Sequence, residues 1–591
     1  MKKITNILLN IFIVFLIANP IWPFYKKLNY IFITTFLILS ILSITYSNKK
    51  KIKIDKIDLL LILVPIFYLI PYITKNNLFS ITDSIYYILL ELSLTLTLLV
   101  LRRNINKNNS NTILVTICTT TCIYFFISYL YQIIPKQMML LSIFNYFGDT
   151  YVNSIDRFYG MLDYCNTSAL LFLISTFISI LKLNEDKNNK NLFRITLLIN
   201  FCAFLVTFSK MLTIAFTVVL IALIILNKFL KRKEFLMDLK IHLIALIIPS
   251  ILFVRLHRLF LINLNFLYFI GAILFIIGMY IGVCKLLYFI DNKWQYSSIL
   301  YLIITMVIIT ILTINPVSTS LKINNISKNN EYIISDFIIE KNKKYKIKFN
   351  VSGNMEDVSF QLCKLYLDEM APKEKVIKEI DSNKNNIFEF KTDDNFEYYF
   401  IKVINLNKNT NIKISNFNIN NNEYLINSLL VPYQYIHQLD LIKYDKESVS
   451  HRFLYYKNAL NIIKENKYII GSGYNTFAYY ALMGEFNYLE NDPHSYLFQL
   501  WLDIGIYGIV YVLGLIIIGI YYMWQNRKEE DKVIWFCIFS LCMIVLPFDC
   551  IYANLYPKVL LILSFIMICD KENFLILDYL YKKIYNKSNK K

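Results

Sequence analysis

The sequence reads as an all-α polytopic membrane protein of about 14 transmembrane helices with an inserted extracellular β-sandwich domain. Three observations carry this reading. Hydrophobic residues make up 56% of the 591 positions, too many for a soluble chain of this length. Apolar runs long enough to span a bilayer recur along most of the chain. Between about Leu321 and Tyr424 the texture changes to period-two alternation, the pattern of half-buried strands.

The elements follow in order. Met1-Lys2-Lys3 precedes an apolar run to Ala18, with Asn19-Pro20 after it. No small-residue cleavage site follows, so this run reads as the first membrane helix rather than a signal peptide. The expected spans lie near 4–19, 28–46, 57–73, 79–101, 112–134, 161–181, 194–208, 211–230, 240–254, 263–284, 296–314, 496–524, 533–548 and 557–570. The organisation that results is a helix bundle over 1–314, an insert over 315–424, a linker and catalytic loop over 425–495, membrane helices over 496–570 and a basic tail over 571–591.

Basic residues give an orientation. The formal charge of +19 would suit a nucleic-acid binder if the charge were gathered on one domain. It lies instead between the spans, so no nucleic-acid partner is expected. Lys49 to Lys56, Arg102 and Arg103, Lys182 to Arg194, Lys228 to Lys233 and Arg527 to Lys528 all fall on one side if the spans alternate. By the positive-inside rule that side is cytoplasmic, together with both termini. The chain is then a multi-pass protein of the cell membrane, and 315–495 faces outward.

In the insert, Tyr345, Ile347, Phe349 and Val351 alternate with Lys346, Lys348 and Asn350. Val358, Phe360 and Leu362 repeat the pattern, as do Ile412 and Ile414. A small antiparallel β-sandwich of about 100 residues is expected. A carbohydrate-binding role and a spacer role both fit it. Cys363 is the insert's one cysteine, and Cys118 with Cys122 share a helix face as core residues.

The most purposeful polar residues lie between His451 and Gly508. Arg452 is expected to open a short amphipathic helix with Phe453, Tyr456, Ala459 and Leu460 on one side. Gly471-Ser472-Gly473 ends it, and a polar loop closes on Asp492-Pro493-His494. His494 thus stands at the mouth of an apolar segment running from Tyr496 to Trp524. Two roles fit that position: a cap or interface anchor, and a general base at the membrane surface. Outward-facing basic residues are few. They include Arg157 in RFYGMLDYCNTSALL, Lys210 in Phe208-Ser209-Lys210, and Arg255 and Arg258 flanking His257. Each fits either an interface anchor or an anion contact. Glu91 sits inside an apolar span and calls for a buried partner.

Arg452, Gly471, Gly473, His494, Leu497, Gln499, Gly505 and Gly508 together resemble the C-terminal motif of the O-antigen ligase and O-antigen polymerase superfamily. Arg157, Asn166 and Ala169 resemble its pattern of an arginine before a helix. Three positions depart from it: Ser495 replaces a common Asn, Asp503 a common Glu, and Lys210 a common Arg. The resemblance covers the last quarter of the chain well and the first half in outline. It implies a GT-C-like membrane glycosyltransferase whose donor is a glycan on undecaprenyl diphosphate. His494 would be the catalytic base, and Arg157, Lys210 and Arg452 would bind the substrate diphosphate. The acceptor would be a glycan, lipid, wall polymer or protein. No metal or other cofactor is implied, and no Asp-x-Asp metal motif stands out. A ligase and a repeat-unit polymerase fit the motifs equally. A lipid-linked glycan transporter fits less well, because the polar cluster is expected at the outer face and no internal repeat is visible.

Overall fold

The computed structural model describes residues 56–74, scattered positions between 85 and 102, 107–133, Phe158, 165–185 and 189–290 apart from 208 and 264–265. It further describes most of 317–432, 445–482 apart from 467–468, 492–550 and 555–569. The expected spans at 4–19, 28–46 and 296–314 lie outside these residues, as does the basic tail.

The described chain is mostly helical. Its first helices are α1 Lys56–Ile73, α2 Lys107–Ile133, α3 Cys165–Glu185, α4 Lys190–Val206, α5 Lys210–Phe229, α6 Lys233–Asn263 and α7 Phe266–Ile290. After the β region come α8 Asp445–Asn466, α9 Thr476–Leu482, α10 Tyr496–Ile504, α11 Ile506–Asn526, α12 Glu530–Val545 and α13 Leu555–Ile568. Among the described residues six helices are long and apolar enough to cross a membrane: α2, α3, α5, α6, α7 and α11.

Helix α3 is the axis of the bundle. Its apolar window is entirely buried, and α2, α4, α5 and α12 pack around it. The outer helices turn apolar side chains outward. Ile214, Val218, Ile221 and Ile225 form an exposed stripe along α5, and Val510, Leu513 and Ile517 do so along α11. Stripes of this kind suit a hydrocarbon surrounding.

The bundle has two unlike ends. At one end Lys182 pairs with Asp531 at 2.8 Å, and Arg232 donates to the Lys528 carbonyl at 2.7 Å. Lys190, Lys228, Lys231, Lys233 and Arg527 belong to the same end, because α3, α5 and α11 finish there and α4, α6 and α12 begin there. The other end gathers the start of α3, the turn between α4 and α5, and the chain after α12.

The insert forms strands β1 Val317–Ser318, β2 Ser320–Asn324, β3 Tyr332–Phe337, β4 Lys344–Asn354, β5 Ser359–Asp368 and β6 Ala371–Asp381. They are followed by β7 Asn385–Lys391, β8 Tyr398–Ile404, β9 Asn411–Ile419, β10 Asn422–Glu423, β11 Ile426–Asn427 and β12 Val431–Pro432. One sheet runs β10-β9-β4-β7, with β2 also on β9; the other runs β12-β3-β8-β5-β6. Among the described residues the strand pairings are antiparallel, such as Phe349 opposite Asn386. Phe349, Val351, Phe388 and Ile414 from one sheet share a core with Phe360, Leu362 and Ile401 from the other. The alternation seen in the sequence is therefore the inner face of a sandwich.

Three expectations are corrected. Helix α8 begins at Asp445, so Arg452 lies within it rather than opening it. Its buried face is Tyr455, Ala459 and Ile462, while Leu460 is 46% exposed. The run from Tyr496 to Trp524 is not one helix. Gly505, with φ at +75°, separates α10 from α11. His257 does not reach toward the surface: it is fully buried and bonds through Nδ1 to the Tyr129 hydroxyl.

Candidate functional site

Gly505 begins the construction of the site. A side chain there would put Cβ 2.1 Å from the Ile469 carbonyl oxygen, and one at Gly471 would meet the Gly505 nitrogen at 2.5 Å. Two glycines with positive φ let these backbones touch. Ser472 then donates to the Leu502 carbonyl at 2.9 Å, Gly473 to that of Asp503 at 3.0 Å, and Ile506 to that of Ile469 at 3.0 Å. The Asp503 carboxylate accepts from the Thr476 amide at 3.1 Å and the Gln499 side chain at 2.9 Å. Burial raises its carboxyl to about 7 against these hydrogen bonds. The lacing fixes α8 and α9 against α10, and so fixes Arg452 relative to His494.

His494 itself is held from several sides. Its backbone is left-handed, with φ +47°, an unusual conformation for a residue other than glycine. Its amide donates to Asp492 Oδ1 at 2.7 Å, and its Nδ1 stands 3.7 Å from the same oxygen. The imidazole stacks on Tyr455 with centroids 5.1 Å apart. The Tyr456 hydroxyl donates to the His494 carbonyl at 3.2 Å. Ser495 then caps α10 through the Phe498 amide. The cap therefore belongs to Ser495, while the imidazole stays 18% exposed beside Asp492.

Arg452, Tyr455 and Tyr456 are three and four residues apart, so they share one face of α8. The Arg452 guanidinium lies 4.0 Å from Asp549 and is 30% exposed, whereas Asp549 is 1% exposed. Among the described residues no hydrogen bond ties up its N–H groups. Asp549 is the hub that sequence reading missed. Its Oδ2 accepts from Asn166 at 2.6 Å, and its Oδ1 from the Cys550 amide at 2.8 Å. Its carbonyl accepts from the Tyr496 amide at 3.1 Å, two residues past His494. Asn166 in turn accepts from Ser209 at 2.6 Å. Burial, then Asp492 and Asp549, push the Cys550 thiol well above its ordinary value, so it stays neutral.

Lys210 follows Ser209 at the first position of α5, with an exposed side chain. Its backbone therefore joins the cluster. Arg157 lies outside the described residues, but its neighbour Phe158 is buried and donates to the Val206 carbonyl at 2.8 Å, at the same end. Arg255 and Arg258 are helical residues in α6 whose side chains lie outside the described set. The sequence also leads one to expect a cavity for the donor lipid beside His494 with the sandwich at its mouth; both depend in part on stretches outside the described residues, 433–444 among them.

Beneath the cluster Glu91 has found its partner: Lys558, in α13. Lys558 lies 5.9 Å from the centroid of the Tyr496 ring. Separation in sequence hid this pair, though not the need for one. Comparison of the chain with models of protein families, with curated proteins and with solved structures returns no match.

The arrangement offers a partly exposed histidine beside a carboxylate, and a guanidinium anchored on a buried aspartate. Such a pair can take a proton from a hydroxyl and stabilise an anionic leaving group.

Proposed function

We propose that this chain transfers a glycan from undecaprenyl diphosphate to an acceptor hydroxyl at the outer face of the cytoplasmic membrane. The observation that carries this reading is the placement of Arg452, Asp549 and His494 together, at the bundle end opposite the basic one. By the positive-inside rule the basic end is cytoplasmic and the cluster faces outward.

In this reading the acceptor oxygen attacks the anomeric carbon while neutral His494 takes its proton. The bond from that carbon to the diphosphate oxygen breaks, and its electron pair leaves with the polyprenyl diphosphate. Attack from the opposite face inverts the anomeric centre. Arg452 supplies charge-assisted hydrogen bonds to the departing diphosphate. Lys210 and Arg157 add charge without the need for a metal. Asp492 keeps the imidazole oriented. Histidine is the base here, so no second carboxylate is required.

The test is incubation of the purified chain with lipid-linked glycan and candidate acceptors. Release of polyprenyl diphosphate with the glycan moved to an acceptor supports the reading. Transfer once per acceptor marks a ligase, and lengthening ladders mark a polymerase. A carrier of lipid-linked glycan is the second reading, favoured by the buried Glu91–Lys558 pair. It predicts movement of intact donor across vesicles with no diphosphate released, which would overturn transfer.

A further inference from the structure

The basic end holds a site of its own. A cavity of about 440 Å³ opens there between α3, the turn from α5 to α6, and α12. Leu181, Phe235 and Val533 form its apolar wall, and Lys231, Arg232 and Lys233 its basic rim.

The turn is sharply defined. Lys231 donates to the Lys228 carbonyl at 3.1 Å, and Arg232 to the Asn227 carbonyl at 3.0 Å. These are the two bonds of a Schellman helix end. Its left-handed position normally falls to glycine, yet Lys231 occupies it with φ +58°. Helix α6 starts two residues later; its Lys233 amide donates to the Lys231 carbonyl at 3.0 Å, so the amides of Glu234 and Phe235 are the first-turn donors left beside the cavity. Arg232 is spoken for by the Lys528 carbonyl and by Glu530 at 3.5 Å. Glu234 is the other acidic residue on the rim. Among the described residues, neither Lys231 nor Lys233 has an ion-pair partner. Two lysines without an ion-pair partner among the described residues and the remaining first-turn amides of α6 thus line one hollow floored by apolar side chains, with three basic residues against two acidic ones on its rim.

We propose that this cavity binds a phosphate group, most simply the headgroup of an anionic phospholipid whose chains lie along the apolar wall. The shared chemistry is a phosphate oxygen held by the Lys231 and Lys233 side chains and the amides of Glu234 and Phe235. A free phosphate ion would meet the same groups.

The test uses the full chain in nanodiscs of phosphatidylcholine, alone or mixed with phosphatidylglycerol. Native mass spectrometry reads the lipid retained, and a melting curve reads stability with and without inorganic phosphate. Lys231→Gly suits the backbone of the turn, so Lys231→Gly with Lys233→Gln should fold normally. Wild type should retain phosphatidylglycerol over phosphatidylcholine, and the double variant should lose roughly 30-fold of that preference, about five-fold per lysine. The control Lys228→Gln with Lys528→Gln removes equal charge outside the cavity and should stay within a few-fold of wild type. If inorganic phosphate stabilises wild type but not the cavity variant, and no lipid preference appears, the ligand is soluble phosphate. Equal retention in wild type and the cavity variant, with no phosphate effect, overturns the site. An equal loss in the control pair also overturns it, because general surface charge would then suffice.

Discussion

Asp549 shows what one residue does at the candidate site. It is a buried residue whose carboxylate meets a cation from α8, an amide side chain from α3 and the Cys550 amide of its own loop, while its main-chain carbonyl accepts from the Tyr496 amide of α10. Asp549→Asn keeps the size and much of the hydrogen bonding but leaves Arg452 without its counter-charge. We expect donor turnover to fall about 100-fold through mispositioning, with the melting temperature little changed. Turnover within a few-fold of wild type would make Asp549 a structural residue only. Asp503 answers to pH instead. Its folded carboxyl titrates near 7, above its usual value. The folded state therefore holds a proton that the unfolded state has released, and stability falls as pH rises from about 4 to 7. Asp503→Asn should flatten that slope: the melting temperature of wild type relative to the variant should drop between about pH 5 and pH 8. Parallel curves would show that Asp503 titrates normally. His494 was legible in the sequence as a histidine at the mouth of a helix, and Arg452 as a cation of a helix whose start the sequence placed too late. Asp549 was legible only as a lone charge after Pro547, since its partners lie up to 383 positions away.

At the scale of elements, the glycines explain why α8 and α10 meet. The pattern of Gly471, Gly473 and Gly505 could be read, but the break it imposes could not. An apolar run carries no record of where a neighbouring loop will press against it. Gly505→Ala places a methyl group against the Ile469 carbonyl at a φ that alanine rarely adopts. Stability should drop by more than about 3 kcal/mol, with donor turnover lost alongside it. An unchanged melting curve would mean that the loop moves aside freely. Period-two writing predicted the strands well, because an inner face between two sheets forces alternation. The start of α8 was missed because its first two turns, Asp445 to His451, are polar and carry no apolar period.

For the whole molecule, charge placement foretold the division into two ends. Lys182, Lys228 and Arg527 are far apart in sequence and lie together at one end, because alternating helices leave no other arrangement. The candidate cluster occupies the opposite end, and the proposed phosphate cavity the basic one. Glycan transfer at that opposite end rests on His494 as the base. It is tested most directly by the rate at which His494→Ala releases polyprenyl diphosphate from lipid-linked glycan, compared with wild type in the same membranes. A loss of about 100- to 10,000-fold, with unchanged melting, is the predicted result. Release within a few-fold of wild type would contradict it.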